Sequence, residues 1–307
     1  MIPSSASRPG SLRFARSKYF VTAFLSSNKW VHPKPRAKGQ ARSDAPFPST
    51  MKAVSNMAST QKSTDSLTEA EWARSTRGAV IAFGREVCGS LEAAEQREWL
   101  VTNGIGGYAS GTVSGNATRR YHGLLIAALH PPLGRTQLVA KLEETASYDG
   151  SSYALGTNRW ASGAVDPKGY LNLESFHLEG TTPVWRFALA DAQLEKRIWM
   201  RQGANTTYVQ YSLLRGAAPV RLSVKVLSNY RDFHSATHGG DWRMQVECVR
   251  NGVQITASDG ATPFYLLSSD AQFEPRHEWY RDFFLLQEKA RGLDDREDYF
   301  FAAATHT

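Results

Sequence analysis

A chain of 307 residues, 41% of them hydrophobic and 21% charged, can bury a sizeable core and has the balance of an ordinary soluble globular protein. No apolar run approaches the ~20 residues that a membrane-spanning helix needs, so no membrane partner is expected. The net charge of +7 does not indicate a nucleic-acid partner: residues 1–60 hold ten basic side chains against the single acid Asp44, which leaves the remainder slightly acidic and without an electrostatic footprint for a phosphate backbone.

Residues 1–75 are rich in Ser, Pro, Lys and Arg and lack sustained periodicity, so they read as a disordered basic tail. Residues 11–30 are free of acids and carry Arg and Ser, as organellar transit peptides do. The preferred alternative is a translation start at Met51 or Met57, which makes the protein cytoplasmic. Cys88 and Cys248 lie far apart without CxxC spacing, which argues against a zinc ribbon or disulfide framework and predicts two small buried side chains.

From Gly78 onward, short apolar or alternating runs recur between turn signals. The predicted strands are 79–83, 98–102, 121–129, 137–145, 170–180, 184–190, 194–200, 206–214, 220–227, 242–250, 253–257 and 264–268. Val220, Leu222, Val224 and Val226 alternate with Arg221, Ser223 and Lys225, the mark of a half-buried antiparallel strand, whereas the spacing of Leu171, Leu173, Phe176 and Leu178 predicts a bulge or an edge. Short helices are predicted at Leu91 to Gln96 and Asp282 to Ala290. The expected fold class is all-β: an antiparallel β-sandwich over residues 76–307, with few short helices and the disordered tail.

The most unusual stretch is WLVTNGIGGYASGTVSGNATRRYHGLL, Trp99 to Leu125. Gly104, Gly106 and Ala109 satisfy the G-x-G-x-x-A of a dinucleotide-binding turn, but the residues that follow are poor helix formers and no acid occurs between Glu98 and Glu143 to hold a ribose. Tight turns at Asn103-Gly104 and Gly106-Gly107 explain the glycines better. Turns do not explain Arg119-Arg120-Tyr121-His122, two guanidinium groups, a phenol and an imidazole at the start of an apolar strand. Such a set suits hydroxyl-rich ligands or the carboxylates of a partner domain, although charged residues at a strand start are often only solvated.

No complete catalytic site is visible. Glu143 and Glu144 adjoin on a strand and so point to opposite faces, and Asp294 and Asp295 sit in what reads as a solvated loop. No HExxH, GK[ST] or G-x-S-x-G element occurs, so no metal, no cofactor and no catalytic residue are assigned.

NGIGGYASGT, TRRYHGLLIAAL and PPLGRTQLVAKLEE, followed by LGTNRW, LEKRIWM, NTTYVQY, NYRD and GLDDREDYF, resemble in that order the N-terminal domain of bacterial and archaeal glycogen debranching enzymes. The resemblance covers nearly everything after residue 78 and includes nothing like residues 1–60. It implies a β-sandwich of supersandwich type, followed in the family by an (α/α)6 toroid that carries the catalytic carboxylates of an amylo-α-1,6-glucosidase; residues up to Thr307 contain no such toroid. The implied function is an accessory, substrate-shaping domain in glycogen catabolism, inactive alone, whose partners are a branched α-glucan and the toroid. The substrate or domain-interface residues expected are Asn103, Tyr108, Arg119, Arg120, Tyr121 and His122, with Asn158, Arg159 and Trp160 as a second loop. The rival expectation is a free-standing carbohydrate-binding or structural β module.

Overall fold

Strand β14 (Arg221–Asp232) shows how side-chain alternation builds this molecule: Leu222, Val224 and Val226 are buried, while Arg221, Ser223 and Lys225 turn to the other side. The structure, a computed structural model, describes residues 18–25 and 81–306 and is 59% strand, mostly antiparallel, with 8% helix. Met51, Met57 and most of the expected tail lie outside the described residues.

Two large sheets face one another. The nine-stranded sheet runs β15–β16–β17–β1–β13–β12–β11–β10–β2, where β1 is Lys18–Leu25, β2 Ala82–Phe83, β10 Leu173–Glu179, β11 Thr182–Leu189, β12 Ala192–Met200, β13 Thr206–Arg215, β15 Gln245–Val249, β16 Gly252–Thr256 and β17 Phe264–Leu267. The second sheet runs β18–β19–β14–β6–β5–β4–β3, with β3 Glu98–Thr102, β4 Tyr108–Thr112, β5 Gly123–His130, β6 Leu133–Tyr148, β18 Gln272–Phe284 and β19 Arg296–His306, and β7 (Ser151–Ala154) pairs β6 off that path. Strands β8 (Thr157–Arg159) and β9 (Val165–Lys168) form a small hairpin of their own. Helices are brief: α1 Arg85–Cys88, α2 Leu91–Glu95 and α3 Leu286–Ala290. None of the described helices is long and apolar enough to cross a membrane.

The main core fills the space between the sheets, where Trp99 meets Trp185 edge to face at 5.3 Å. Both indoles satisfy their N–H groups on the same segment, Trp99 donating to Thr112 O and Trp185 to Val113 O, so aromatic bulk is buried without an orphaned donor. A smaller core lies on the far side of the second sheet. A bulge between Val226 and Leu227 turns Leu227 toward it, and Phe283, Tyr299 and Phe301 close it together with Trp160.

Several expectations need correction. Lys18–Leu25, predicted as disordered, is a strand; Tyr19, Val21 and Ala23 alternate inward, and long-range pairing supplies what local composition lacks. Arg119 to His122 form a turn, closed by His122 N–H donating to Arg119 O, and β5 begins only at Gly123. The helix predicted from Asp282 is confined to α3, because Asp282 to Phe284 still belong to β18, which pairs with β19. Cys88 is buried, but Cys248 is exposed on the edge strand β15. The expected irregularity before Phe176 is present as a register shift between Leu173 and Ser175.

Candidate functional site

The glycine-rich loop between β3 and β4 is organised by Asn103. Its Oδ1 accepts from Ile105 N and Gly107 N, and its Nδ2 donates to Ala204 O and Asn205 Oδ1. Gly104 and Gly106 take positive φ, and a Cβ on Gly107 would collide with the two asparagine side chains at 2.5–2.6 Å. Asn103 is therefore wholly buried and engaged by its own loop and by Ala204 and Asn205, which removes it from any ligand surface. The loop still reaches the site, since Arg135 Nε donates to Gly106 O while its guanidinium lies 5.4 Å over the ring of Phe233.

The turn from Arg119 to His122 is clamped on its inner side. Arg120 N–H donates to Glu288 Oε1 on α3, and Arg120 Nε stands 3.3 Å from Glu288 Oε2, a carboxylate with no exposed surface. Arg231 on β14 donates to Arg120 O at 2.8 Å and is itself paired with the buried Glu297. Burial pushes the Glu297 carboxyl above its ordinary range, and the Arg231 charge beside it opposes that push. Tyr121 O accepts from Tyr108 and Ser110 hydroxyls, and burial raises the Tyr108 phenol to about 12.

His122 is buried, its Nδ1 accepting from Thr118 N, so the proton assigned to Nε2 faces Glu98 Oε1 at 3.3 Å. Arg119 donates to the same oxygen at 2.6 Å. The hydrogen bond from His122, with that from Arg119, holds the Glu98 carboxyl down to about 2 against the opposing effect of burial.

The outer side of the turn is different. Tyr121 keeps a half-exposed ring, edge-on to Phe233 at 5.8 Å and to His234 at 5.6 Å, and its hydroxyl lies 3.2 Å from His234 Nδ1. Arg120 Nη1 donates to His234 O at 2.6 Å, whereas its Nη2 is buried with no hydrogen-bond partner among the described residues. Three rings and a guanidinium with a buried unsatisfied donor thus converge at one end of the sandwich.

The second predicted set divides. Asn158 is buried: its Oδ1 receives the ammonium of Lys141, and its Nδ2 donates to Glu143 Oε2. Lys141 also donates to Gly115 O and Thr157 O, while burial lowers its pKa to about 8 in spite of Glu143 and Glu144 nearby. Arg159 forms a fork on Glu95 of α2, at 3.0 and 3.2 Å, and Asn116 donates to that carboxylate too. Trp160 packs against Phe283 with the rings tilted at 36° and their centroids 4.6 Å apart, and donates to Asp166 O, so this side of the indole is committed to the smaller core. The link between this set and the turn runs through one short stretch of chain: Phe283 holds Trp160, and Glu288, five positions on, holds Arg120.

Glu98, Arg231, Phe233, His234 and Glu288 are site residues that sequence reasoning missed. Only Arg231 had a signal, as part of the NYRD motif. Glu143 and Glu144 do leave the strand on opposite faces: Glu143 meets Asn158 and Lys225, and Glu144 meets Lys196 at 2.5 Å and Tyr211 at 2.6 Å. Among the described residues, no group of three or more His, Cys, Asp or Glu is placed to hold a metal ion.

The family described as glycogen debranching enzyme N terminal matches residues 97–306, from the start of β3 through β19. The match takes in both walls of the turn and leaves out β1, β2, α1 and α2. No curated protein and no solved structure matches the chain.

Proposed function

The chain belongs to the glycogen debranching enzyme N-terminal family, and from that premise we propose that it is an accessory, substrate-shaping domain for hydrolysis of α-1,6 branch points in cytoplasmic glycogen catabolism. In this reading it works beside an (α/α)6 catalytic domain and has no hydrolytic activity alone. The observation that carries it is the two-sided build of the Arg119–His122 turn: charges lock the inner side, and Tyr121, His234 and Phe233 are offered on the outer side. Rings held rigidly in this way can stack on sugar faces with little entropy to lose on binding. Arg120 fixes these rings in place, its guanidinium bound to Glu288 on one side and donating to His234 O on the other.

The engaged carboxylates support the accessory role. Inverting glycoside hydrolysis needs an acid and a base roughly 6.5–9.5 Å apart across an open site. Glu143 and Glu144 lie on opposite faces of β6 and are occupied by Asn158, Lys196 and Tyr211. The test is Arg120→Ala in a full-length relative that carries the toroid: kcat/KM on a branched glucan is expected to fall about tenfold or more, equivalent to ~1.4 kcal/mol of binding at the reacting complex. Unchanged activity and affinity would refute the site, and debranching turnover by the present chain alone would refute the accessory role.

A second reading, a free-standing carbohydrate-binding module, is favoured by one observation. Trp199 and Tyr208 stack at 5.4 Å on the side of the nine-stranded sheet away from the core. Glucan binding abolished by Trp199→Ala and untouched by Tyr121→Ala would favour that module.

A further inference from the structure

Strand β1 stands between β13 and β17 in the nine-stranded sheet and is the sole connection of the β15–β16–β17 unit to the strand ladder of that sheet among the described residues. It pairs antiparallel with both neighbours, from Lys18 opposite Ser212 to Phe24 opposite Thr206 on one side, and from Thr22 opposite Leu267 to Leu25 opposite Phe264 on the other. Its inward residues are core residues: Tyr19, Val21 and Ala23 are 7%, 1% and 6% exposed. Tyr19 packs on Tyr211 at 5.8 Å and spans the sandwich, its hydroxyl 3.2 Å from Thr305 on β19. On the outer side Phe24 stacks on Tyr265 at 5.1 Å.

Both walls of this slot lie inside the family match, and the occupant lies outside it, separated from β2 by residues 26–81. Without the occupant, β13 and β17 would face each other across a gap of about two strand spacings, ~9.5 Å, with edge N–H and C=O groups unpaired over an opened core. Backbone pairing on two sides, with a tyrosine, a valine and an alanine seated at alternate positions, is the recognition pattern of a strand-accepting groove.

We infer that the space between β13 and β17 is a peptide-binding slot for an extended Tyr-x-Val-x-Ala segment, filled here by residues 18–25 acting as a separable ligand tethered to the rest of the chain. A polypeptide beginning at Met51 or Met57 would carry the receptor and not the ligand. This inference is independent of the role proposed for the Arg119–His122 turn.

The experiment uses the full chain with a specific protease site introduced at residue 60 and cut after folding. The N-terminal piece is expected to co-migrate with the remainder through native gel filtration. A synthetic peptide of residues 16–27 should compete for the slot, its Val21→Asp form about 100-fold more weakly, because a carboxylate would enter the core, and its outward-facing Thr22→Asp form within about tenfold. Separation of the two pieces under native conditions, or equal competition by the Val21→Asp and Thr22→Asp peptides, would overturn the inference. A second readout is amide exchange in the uncut chain: Val21→Asp should speed exchange in β13 and β17 about tenfold or more relative to Thr22→Asp, with β14 and β19 changed less. Equal exchange in the two variants would count against the slot.

Discussion

The Arg119–His122 turn and strand β1 are both short segments held by residues remote in sequence, but different forces hold them. The turn is fixed by side-chain charge: Glu288, Arg231 and Glu98 grip its backbone and guanidinium groups from three directions. Strand β1 is fixed by backbone pairing on both edges and by three inward side chains that carry no formal charge. A segment held by charges can keep its outward side free for a ligand, because its inner contacts already define its position. One held by ladder pairing on both sides commits its backbone to the sheet and serves mainly to complete it. The difference separates an element that presents a surface to a ligand from one that is itself seated in the sheet.

Three changes break or sharpen that contrast, in falling order of expected effect. Glu288→Ala removes the carboxylate beneath the turn and leaves Arg120 buried beside an unpaired backbone N–H; a loss of about 3–5 kcal/mol is expected from breaking a buried pair on one side, read by denaturant unfolding. A loss below ~1 kcal/mol would mean that the turn is not held by charge.

The second change is Glu98→Gln, read as melting temperature against pH. Glu98 has a folded-state pKa of about 2, below its ordinary 4.5, so the folded state binds this proton less readily than the unfolded chain does. Its contribution is present above about pH 4.5 and is lost as pH falls toward about 2. The variant should therefore melt lower than the parent near neutral pH and show a flatter decline between those limits. Parallel curves would show that His122 and Arg119 do not stabilise the ionised form.

The smallest stability effect belongs to Tyr121→Ala. Its ring is half-exposed and its backbone carbonyl, not its side chain, receives Tyr108 and Ser110, so the fold should lose ~1 kcal/mol or less while ligand contact is removed.

Much of the fold was legible because strands with one wet face alternate. Glu98–Thr102 and the run through Leu222, Val224 and Val226 could be read directly for this reason. β19 was not, since both faces of Asp298 to Thr305 are covered and the buried acids Glu297 and Asp298 imitate a solvated loop. β18 escaped for the opposite reason: an exposed, charge-rich edge has no inward set to count. β1 has only three inward residues and lies among Ser, Lys and Arg, so its evidence is in Tyr211, Val209 and Leu266, far along the chain.

The candidate site divides on similar grounds. Residue type pointed to Arg119, Arg120, Tyr121 and His122, and the structure brings them into one turn. Type alone could not distinguish Asn103, Asn158 and Arg159, whose polar groups are consumed by Asn205, Lys141 and Glu95. Nor could it supply Glu288 and His234, which meet the turn across 168 and 114 positions of chain.

The role given to the turn is tested most directly by titration calorimetry of a branched α-glucan oligosaccharide into this chain and into its Tyr121→Ala form, with unfolding of both followed as the control. The expected result is binding by the parent and about tenfold weaker binding by the variant, ~1.4 kcal/mol, at nearly unchanged stability. No binding by the parent, or equal affinity in the two proteins, would contradict it.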